Sequence, residues 1–267
     1  MKRIALIGVC LFIFQMLPVQ AFAKQYNNMQ YDWYFKPSKD NKPATTEPEF
    51  AEMLNKHGGI FIAETNAKEL YLTFDNGYEN GYTANVLDVL KKKKVPAAFF
   101  VTGHYLKEEP ELVNRMVKEG HIVGNHSFSH PNLAKESDAD IREELESVET
   151  LFTKITGKRM PKYLRPPRGV FSERTLAVSN QLGYTNVFWS LAFKDWETNN
   201  QKGWKYAYDN IMNRVHPGAI MLLHTVSKDN AEALEKVIDD LKKDGYTFHS
   251  LDELMAKETV PKWLITP

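Results

Sequence analysis

Two histidines stand four residues apart in Asn125-His126-Ser127-Phe128-Ser129-His130-Pro131. On one helical turn that spacing turns both rings to the same side, where they can pinch a single cation. Packed or solvated histidine pairs are equally compatible with it. A second group of polar residues, Asp75-Asn76-Gly77, ends the alternating stretch Leu70-Tyr71-Leu72-Thr73-Phe74, which reads as a short strand. A carboxylate at the exit of a buried strand lies at the rim of a sheet, where α/β enzymes keep their chemistry, although Asp and Asn are also ordinary turn formers. Asn76 could lend an amide oxygen to a cation gripped by His126 and His130. Two neutral imidazoles and a neutral amide bring no counter-charge, so such a site would hold a divalent ion weakly.

Three further stretches carry usable groups. Arg165-Pro166-Pro167-Arg168-Gly169 is a rigid loop, either a plain surface turn or a means of holding a guanidinium against a carboxylate and aiming the Arg168 or Gly169 N–H at an oxyanion. Phe193-Lys194-Asp195-Trp196 sets a carboxylate beside an indole; Asp195 could orient a histidine and Trp196 could wall a sugar pocket. Ala219-Ile220-Met221-Leu222-Leu223-His224-Thr225 is an almost wholly apolar strand, buried on both faces, that exits in a histidine. His224 at that rim reads as a general acid or base. His57, His121, His216 and His249 read as structural, and His104, after Thr102-Gly103, is the one other histidine with a suggestive context.

These groups need elements to position them. Strands are predicted at Leu70–Asp75, Ala97–Thr102, His121–Asn125, Tyr163–Arg165, Asn186–Ser190, Ala219–His224 and Thr247–Ser250, with helical patterns between them, among them Asn85–Lys94, Pro110–Glu119 and Ala139–Ile155. Alternating strands and helices argue for a parallel sheet with right-handed crossovers, and about seven such units suit a distorted α/β barrel of the (β/α)7 type. All strand C-terminal ends then share one face. Asp75, Asn125-His126, Arg165, Ser190 and His224 each fall at or just after such an end, a repetition that chance does not readily supply.

The 267 residues suffice for one large domain. Formal net charge is zero, so nothing points to nucleic acid. Lys2-Arg3, an apolar run from Ile4 to Leu17 and Ala21-Phe22-Ala23 form a signal-peptide pattern with cleavage expected before Lys24. The apolar run is short for a membrane span. The single cysteine, Cys10, lies inside it, so the exported chain would have no disulfide and no cysteine nucleophile. Residues 24 to 68 are expected to form an extension that wraps the main domain, residues 69 to 256 the domain itself and residues 257 to 267 a tail. A monomer is expected.

Taken together, Thr73-Phe74-Asp75-Asn76-Gly77, His126 with His130, Arg165-Pro166-Pro167-Arg168-Gly169, Asp195-Trp196 and Leu222-Leu223-His224 resemble, in that order, the motifs of the polysaccharide deacetylase family, the NodB-type carbohydrate esterases of family 4. The resemblance runs from about Glu69 to Leu254. It implies metal-dependent hydrolysis of acetyl groups on sugars, zinc or a similar divalent ion being the expected cofactor. It also implies Asp75 as base, Arg165 as its partner, His224 as acid and Asp195 as the orienting carboxylate, with Arg168 and Trp196 toward oxyanion and substrate. The family normally carries a second aspartate, as metal ligand, where this chain has Asn76. That departure weakens the metal site or makes it optional. Asp75-Asn76-Gly77-Tyr78-Glu79-Asn80-Gly81-Tyr82 and His216-Pro217-Gly218-Ala219 look like a narrower group, the delta-lactam-biosynthetic de-N-acetylases of spore-forming bacteria. That likeness implies an N-acetylmuramic acid residue of a peptidoglycan strand as substrate, acted on outside the cytoplasm. Chitin, xylan or peptidoglycan N-acetylglucosamine as substrate, and a glycan-binding module without activity, are the alternatives.

Overall fold

The structure, a computed structural model, describes residues 26–39 and 42–259. The predicted signal segment with Cys10, and the tail from residue 260 onward, lie outside the described residues. Seven parallel strands make the central sheet: β1 (Glu69–Asn76), β2 (Ala97–Val101), β3 (Ile122–Asn125), β4 (Tyr163–Leu164), β5 (Thr185–Asn186), β6 (Ala219–His224) and β7 (Thr247–Phe248). The spatial order is β6-β1-β2-β3-β4-β5, with β7 paired to the first two residues of β1. The sheet curls until the chain after β5 meets β6, where Leu191 bridges Met221. This is a distorted barrel closed by a bridge rather than by a full strand. Helices that bear on the site include α1 (Pro48–Lys56), α2 (Thr83–Lys93), α3 (Asp138–Thr156) and α4 (Lys228–Lys243).

Period-two alternation sorts the side chains. Leu70, Leu72 and Phe74 of β1 pack outward with Val86, Leu87 and Leu90 of α2 and with Ala219, Met221 and Leu223 of β6. Tyr71 turns inward, where it packs with Ala98 and Phe100 of β2 and Ile220 of β6. Asp75, four residues on from Tyr71, is thereby carried to the inner side of the barrel mouth and Asn76 to the outer side. The long helix α3 starts on a capping box of Ser137 and Asp140 and stops at Gly157 with φ 67°. Helix α4 is capped by Ser227, whose hydroxyl accepts the Asn230 N–H.

The segment ahead of β1 holds α1, where Phe50, Met53 and Leu54 predict a helix. Its apolar face packs on Phe171, Leu176 and Phe188. Ile60-Phe61-Ile62 makes only two bridges, Ile60 to Val187 and Ile62 to Ala219, and so contacts both edges of the barrel's closure. Within the expected extension, Thr45–Thr46 pairs antiparallel with Phe35–Lys36. The last helix, Leu251–Thr259, runs past the boundary expected at residue 256. Among the described residues no helix is long and apolar enough to cross a membrane.

Candidate active site

A cavity of about 850 Å³ opens at the C-terminal mouth of the barrel, with Asp75, His126, His130, Arg168, Trp196 and His224 in its wall. Asp75 and His224 sit side by side as register partners on β1 and β6. Arg165, fully buried, donates from Nη1 to Asp75 Oδ1 at 2.8 Å. Its Nε donates to the Val187 carbonyl at 3.0 Å, and its guanidinium lies 4.2 Å above the Phe100 ring. Burial would raise the Asp75 carboxyl, but Arg165, His126 and His224 outweigh it and hold the group below the ordinary carboxylate value. With Oδ1 engaged, Oδ2 faces His126 Nε2 across 3.5 Å.

His126 and His130 do meet, with ring centroids 4.8 Å apart, but not on a helical turn as their spacing predicts. They sit on a loop in which Ser127 and His130 both have φ near +60°. Side chains stabilise this left-handed backbone in place of a helical ladder. Asn125 Oδ1 accepts the Ser127 N–H, Ser127 Oγ accepts the His130 N–H, and the Glu144 carboxylate accepts the N–H groups of Phe128 and Ser129. His126 Nδ1 lies 2.8 Å from the Arg165 carbonyl. A carbonyl only accepts, so Nδ1 carries the proton and Nε2 keeps its lone pair. Burial first, then the neighbouring ring, pushes His130 down to about 4, and burial lowers His126 as well. Both rings are neutral at physiological pH and available as ligands.

The second arm is built on His224. Its Nδ1 donates to Asp195 Oδ1 at 2.7 Å, while Asp195 Oδ2 accepts the His224 backbone N–H at 2.9 Å and Asn230 Nδ2. Burial would lower His224, but the charge and hydrogen bond of Asp195, joined by Asp75, raise it above the ordinary imidazole value. Trp196, half exposed, stands edge-on to His224 with centroids 5.6 Å apart.

Four expectations change. Asn76 does not line the cavity: its Nδ2 donates to Thr225 Oγ1 at 2.7 Å, and its buried Oδ1 has no hydrogen-bond partner. The cause is strand geometry, since neighbours on a strand point to opposite faces. The Gly169 N–H is consumed inside its own turn by the Pro166 carbonyl, which leaves it unavailable to an oxyanion; Arg168 takes φ 60° in that turn. Ser190, expected at the rim, is buried and accepts the Ile220 N–H. Asn125 likewise serves structure, donating to the Leu145 carbonyl and the Tyr184 hydroxyl. His104 does line the cavity.

Sequence reasoning missed Asn230, which sits at the third position of a helix like any capping residue, and Glu144, one acid among several on α3. It also missed Phe128, Tyr78 and Trp189 in the cavity wall. Gly103 offered a signal for Phe128: a Cβ there would fall 2.3 Å from that ring.

The donor set at the cavity offers a divalent ion two neutral imidazoles, those of His126 and His130. Among the described residues no group of three His, Cys, Asp or Glu side chains is arranged to hold a metal. The fit is therefore to a site with fewer charged ligands than a carboxylate would provide.

Parallel strands, a polar mouth and this pairing of an ionised acid with a raised histidine define a sugar deacetylase fold, and the chain belongs to the polysaccharide deacetylase family. The family model, described as "Polysaccharide deacetylase", matches residues 62–187. The chain is 54% identical over 238 residues, 89% of it and 90% of the relative, to the peptidoglycan-N-acetylmuramic acid deacetylase PdaA of Bacillus subtilis. The solved structure of that protein, a family 4 carbohydrate esterase, superposes with a TM-score of 0.85, covering 87% of this chain and 99% of that one. A family 4 carbohydrate esterase from Bacillus anthracis matches at 51% identity and TM-score 0.74, over 87% of this chain and 99% of that one. A family 4 pseudoenzyme from Bacillus anthracis matches at 29% identity and TM-score 0.68, over 73% and 68%.

Proposed function

We propose that this protein removes the acetyl group from N-acetylmuramic acid in peptidoglycan, outside the cytoplasm, as the step that frees the amine for muramic delta-lactam formation in spore cortex. The observation that carries the reading is the neighbouring pair Asp75 and His224, one held ionised by Arg165 and the other biased toward protonation by Asp195, in the wall of a single cavity. The similarity to PdaA supports the substrate. So does Arg168, a cation on the cavity wall that could meet the lactyl carboxylate distinguishing muramic acid from glucosamine.

In this reading a water in the space beside Asp75 Oδ2 attacks the acetamide carbon, and Oδ2 takes its proton. Arg165 fixes Oδ1, so the base presents one oxygen in one direction. The tetrahedral oxyanion lies toward the Arg168 N–H. His224 gives its Nε2 proton to the departing amine, and Asp195 stabilises the imidazolium beforehand. Trp196 and Tyr78, both exposed, offer faces to sugar rings. A divalent ion, when bound, would be held by His126 and His130, and would polarise the carbonyl and acidify water.

Acetate release from intact and from peptide-stripped peptidoglycan, with and without chelator, tests the reading. Release from muramic residues is expected; release only from chitin, xylan or glucosamine residues would replace the substrate. The second reading, a glycan binder without activity, draws on Asn76 and on the pseudoenzyme relative. It predicts binding with no acetate at any added metal.

A further inference from the structure

A buried polar chain runs behind the cavity wall. Asn76 Nδ2 donates to Thr225 Oγ1, and Thr225 Oγ1 lies 2.8 Å from Thr83 Oγ1. Thr83 Oγ1 is hydrogen bonded to Glu79 Oε2, and the Tyr105 hydroxyl reaches both that carboxylate oxygen and Thr83 Oγ1 at 3.2 Å. Glu79 Oε1 accepts the backbone N–H groups of Gly81 and Thr83 at 2.6 and 3.2 Å. Asn76, Thr83, Tyr105 and Thr225 are each 0% exposed, so solvent water does not rearrange the pattern.

Counting protons fixes the direction of the chain. A carboxylate only accepts, and each threonine hydroxyl has one proton to give. Thr83 gives its proton to Glu79, so its oxygen must accept from Thr225. Thr225 then has no proton left, and its oxygen must accept from residue 76. Position 76 is obliged to donate. An amide does so; an ionised carboxylate does not. Burial, together with the charge of Glu79, raises the Tyr105 hydroxyl well above its ordinary value, so Tyr105 keeps its proton and donates to Glu79 or to Thr83, whose oxygen can accept from it as well as from Thr225.

The flanks of β1 settle where the rest of the amide goes. Thr225 follows β6, one neighbour of β1, whereas His126 and His130 follow β3, beyond β2 on the opposite flank. An amide whose nitrogen is tied on the β6 side turns its oxygen toward the β2 flank, where the Tyr105 side chain lies beside it. That oxygen is buried and without a hydrogen-bond partner, which is costly unless a cation or donor meets it.

We propose that Glu79 is a positioning residue: through Thr83 and Thr225 it obliges position 76 to donate, which selects asparagine over aspartate there and fixes the orientation of the Asn76 amide behind the cavity wall. The selection of asparagine stands on hydrogen-bond direction alone.

The test is a double-mutant cycle of N76D and E79Q in EDTA, read by thermal unfolding. The amide introduced by E79Q keeps an oxygen for the two backbone N–H groups and gains a donor for Thr83. The chain can then reverse and end on the carboxylate introduced by N76D. With Glu79 present, N76D is expected to lower Tm by about 5 °C or to reduce the folded yield. In the E79Q background the same change should cost under about 1 °C, and the double variant should recover any lost yield. Equal losses in both backgrounds would overturn the proposal. Calorimetric titration with Zn²⁺ separates this role from metal binding: N76D/E79Q should bind the ion no more tightly than E79Q, because position 76 lies behind the cavity wall. A gain of about tenfold in affinity would place its side chain in the cation site and overturn the assignment. Neither measurement uses deacetylation, so failure of the substrate assignment would leave both results interpretable.

Discussion

Asp75 and His224 are register partners at the exits of two adjacent parallel strands, β1 and β6. Each has its own buried counter-ion: Arg165 for the carboxylate, Asp195 for the imidazole. The two environments push in opposite senses, Asp75 below its ordinary value and His224 above it. Near neutral pH this leaves one group ready to take a proton and the other ready to give one.

Asp75→Asn and His224→Ala are each expected to lower the rate of acetate release by about 10²- to 10⁴-fold, the usual contribution of a general base or acid. Circular dichroism should show folded protein in both cases. Near-native turnover in either purified variant would remove that residue from the chemistry.

Asp195→Asn should move the alkaline limb of kcat/KM to lower pH. His224 must be protonated to act as acid, and Asp195 raises its pKa. Removing the charge lets the proton leave earlier as pH rises. The same sign governs stability: the raised folded value contributes stability below the unfolded value of about 6.5, lost as pH climbs through the folded value. An unmoved limb would assign the profile to another group.

Arg165→Met should destabilise the fold by about 3–5 kcal/mol, the usual cost of leaving one member of a buried ion pair alone. The Val187 carbonyl also loses its donor. Urea unfolding reads the loss, and the acid limb of activity should shift upward as Asp75 loses the cation that keeps it ionised.

Metal-free protein should lose stability as pH falls from about 6.5 toward 4. His130 is held down to about 4 in the fold but titrates at 6.5 when unfolded. Within that window the unfolded chain binds a proton that the native state refuses, so stability rises with pH. His126, also lowered, adds in the same direction. His130→Gln should flatten the slope measured by unfolding at a series of pH values.

Trp196→Ala should raise KM more than it lowers kcat. The ring is half exposed, touches His224 only edge-on, and offers a stacking face to a sugar. A loss of about 0.5–1.5 kcal/mol in binding is expected. A pure fall in kcat would instead mean that Trp196 orients His224.

Much of this molecule is legible from local pattern. Alternation in Leu70–Phe74 and the apolar run ending at His224 mark two buried strands and place Asp75 and His224 at their exits. One-dimensional order suffices there because a parallel barrel brings every strand exit to one face. Ser137 and Gly157 likewise announce the ends of α3.

Other features depended on partners far away in the chain. The spacing of His126 and His130 matches a helix, yet they meet on a left-handed loop because Glu144 and Asn125 satisfy its N–H groups. Asn230 looks like a capping residue until α4 is docked and its amide reaches Asp195. Asn76 stands next to Asp75 in sequence but belongs to the opposite face, in a chain of hydroxyls that ends on Glu79. Sequence determines which groups arrive at the mouth, because that follows from strand period and handedness. Tertiary structure decides which atom of each group is free, because a buried donor or acceptor is set by whatever else must be satisfied around it.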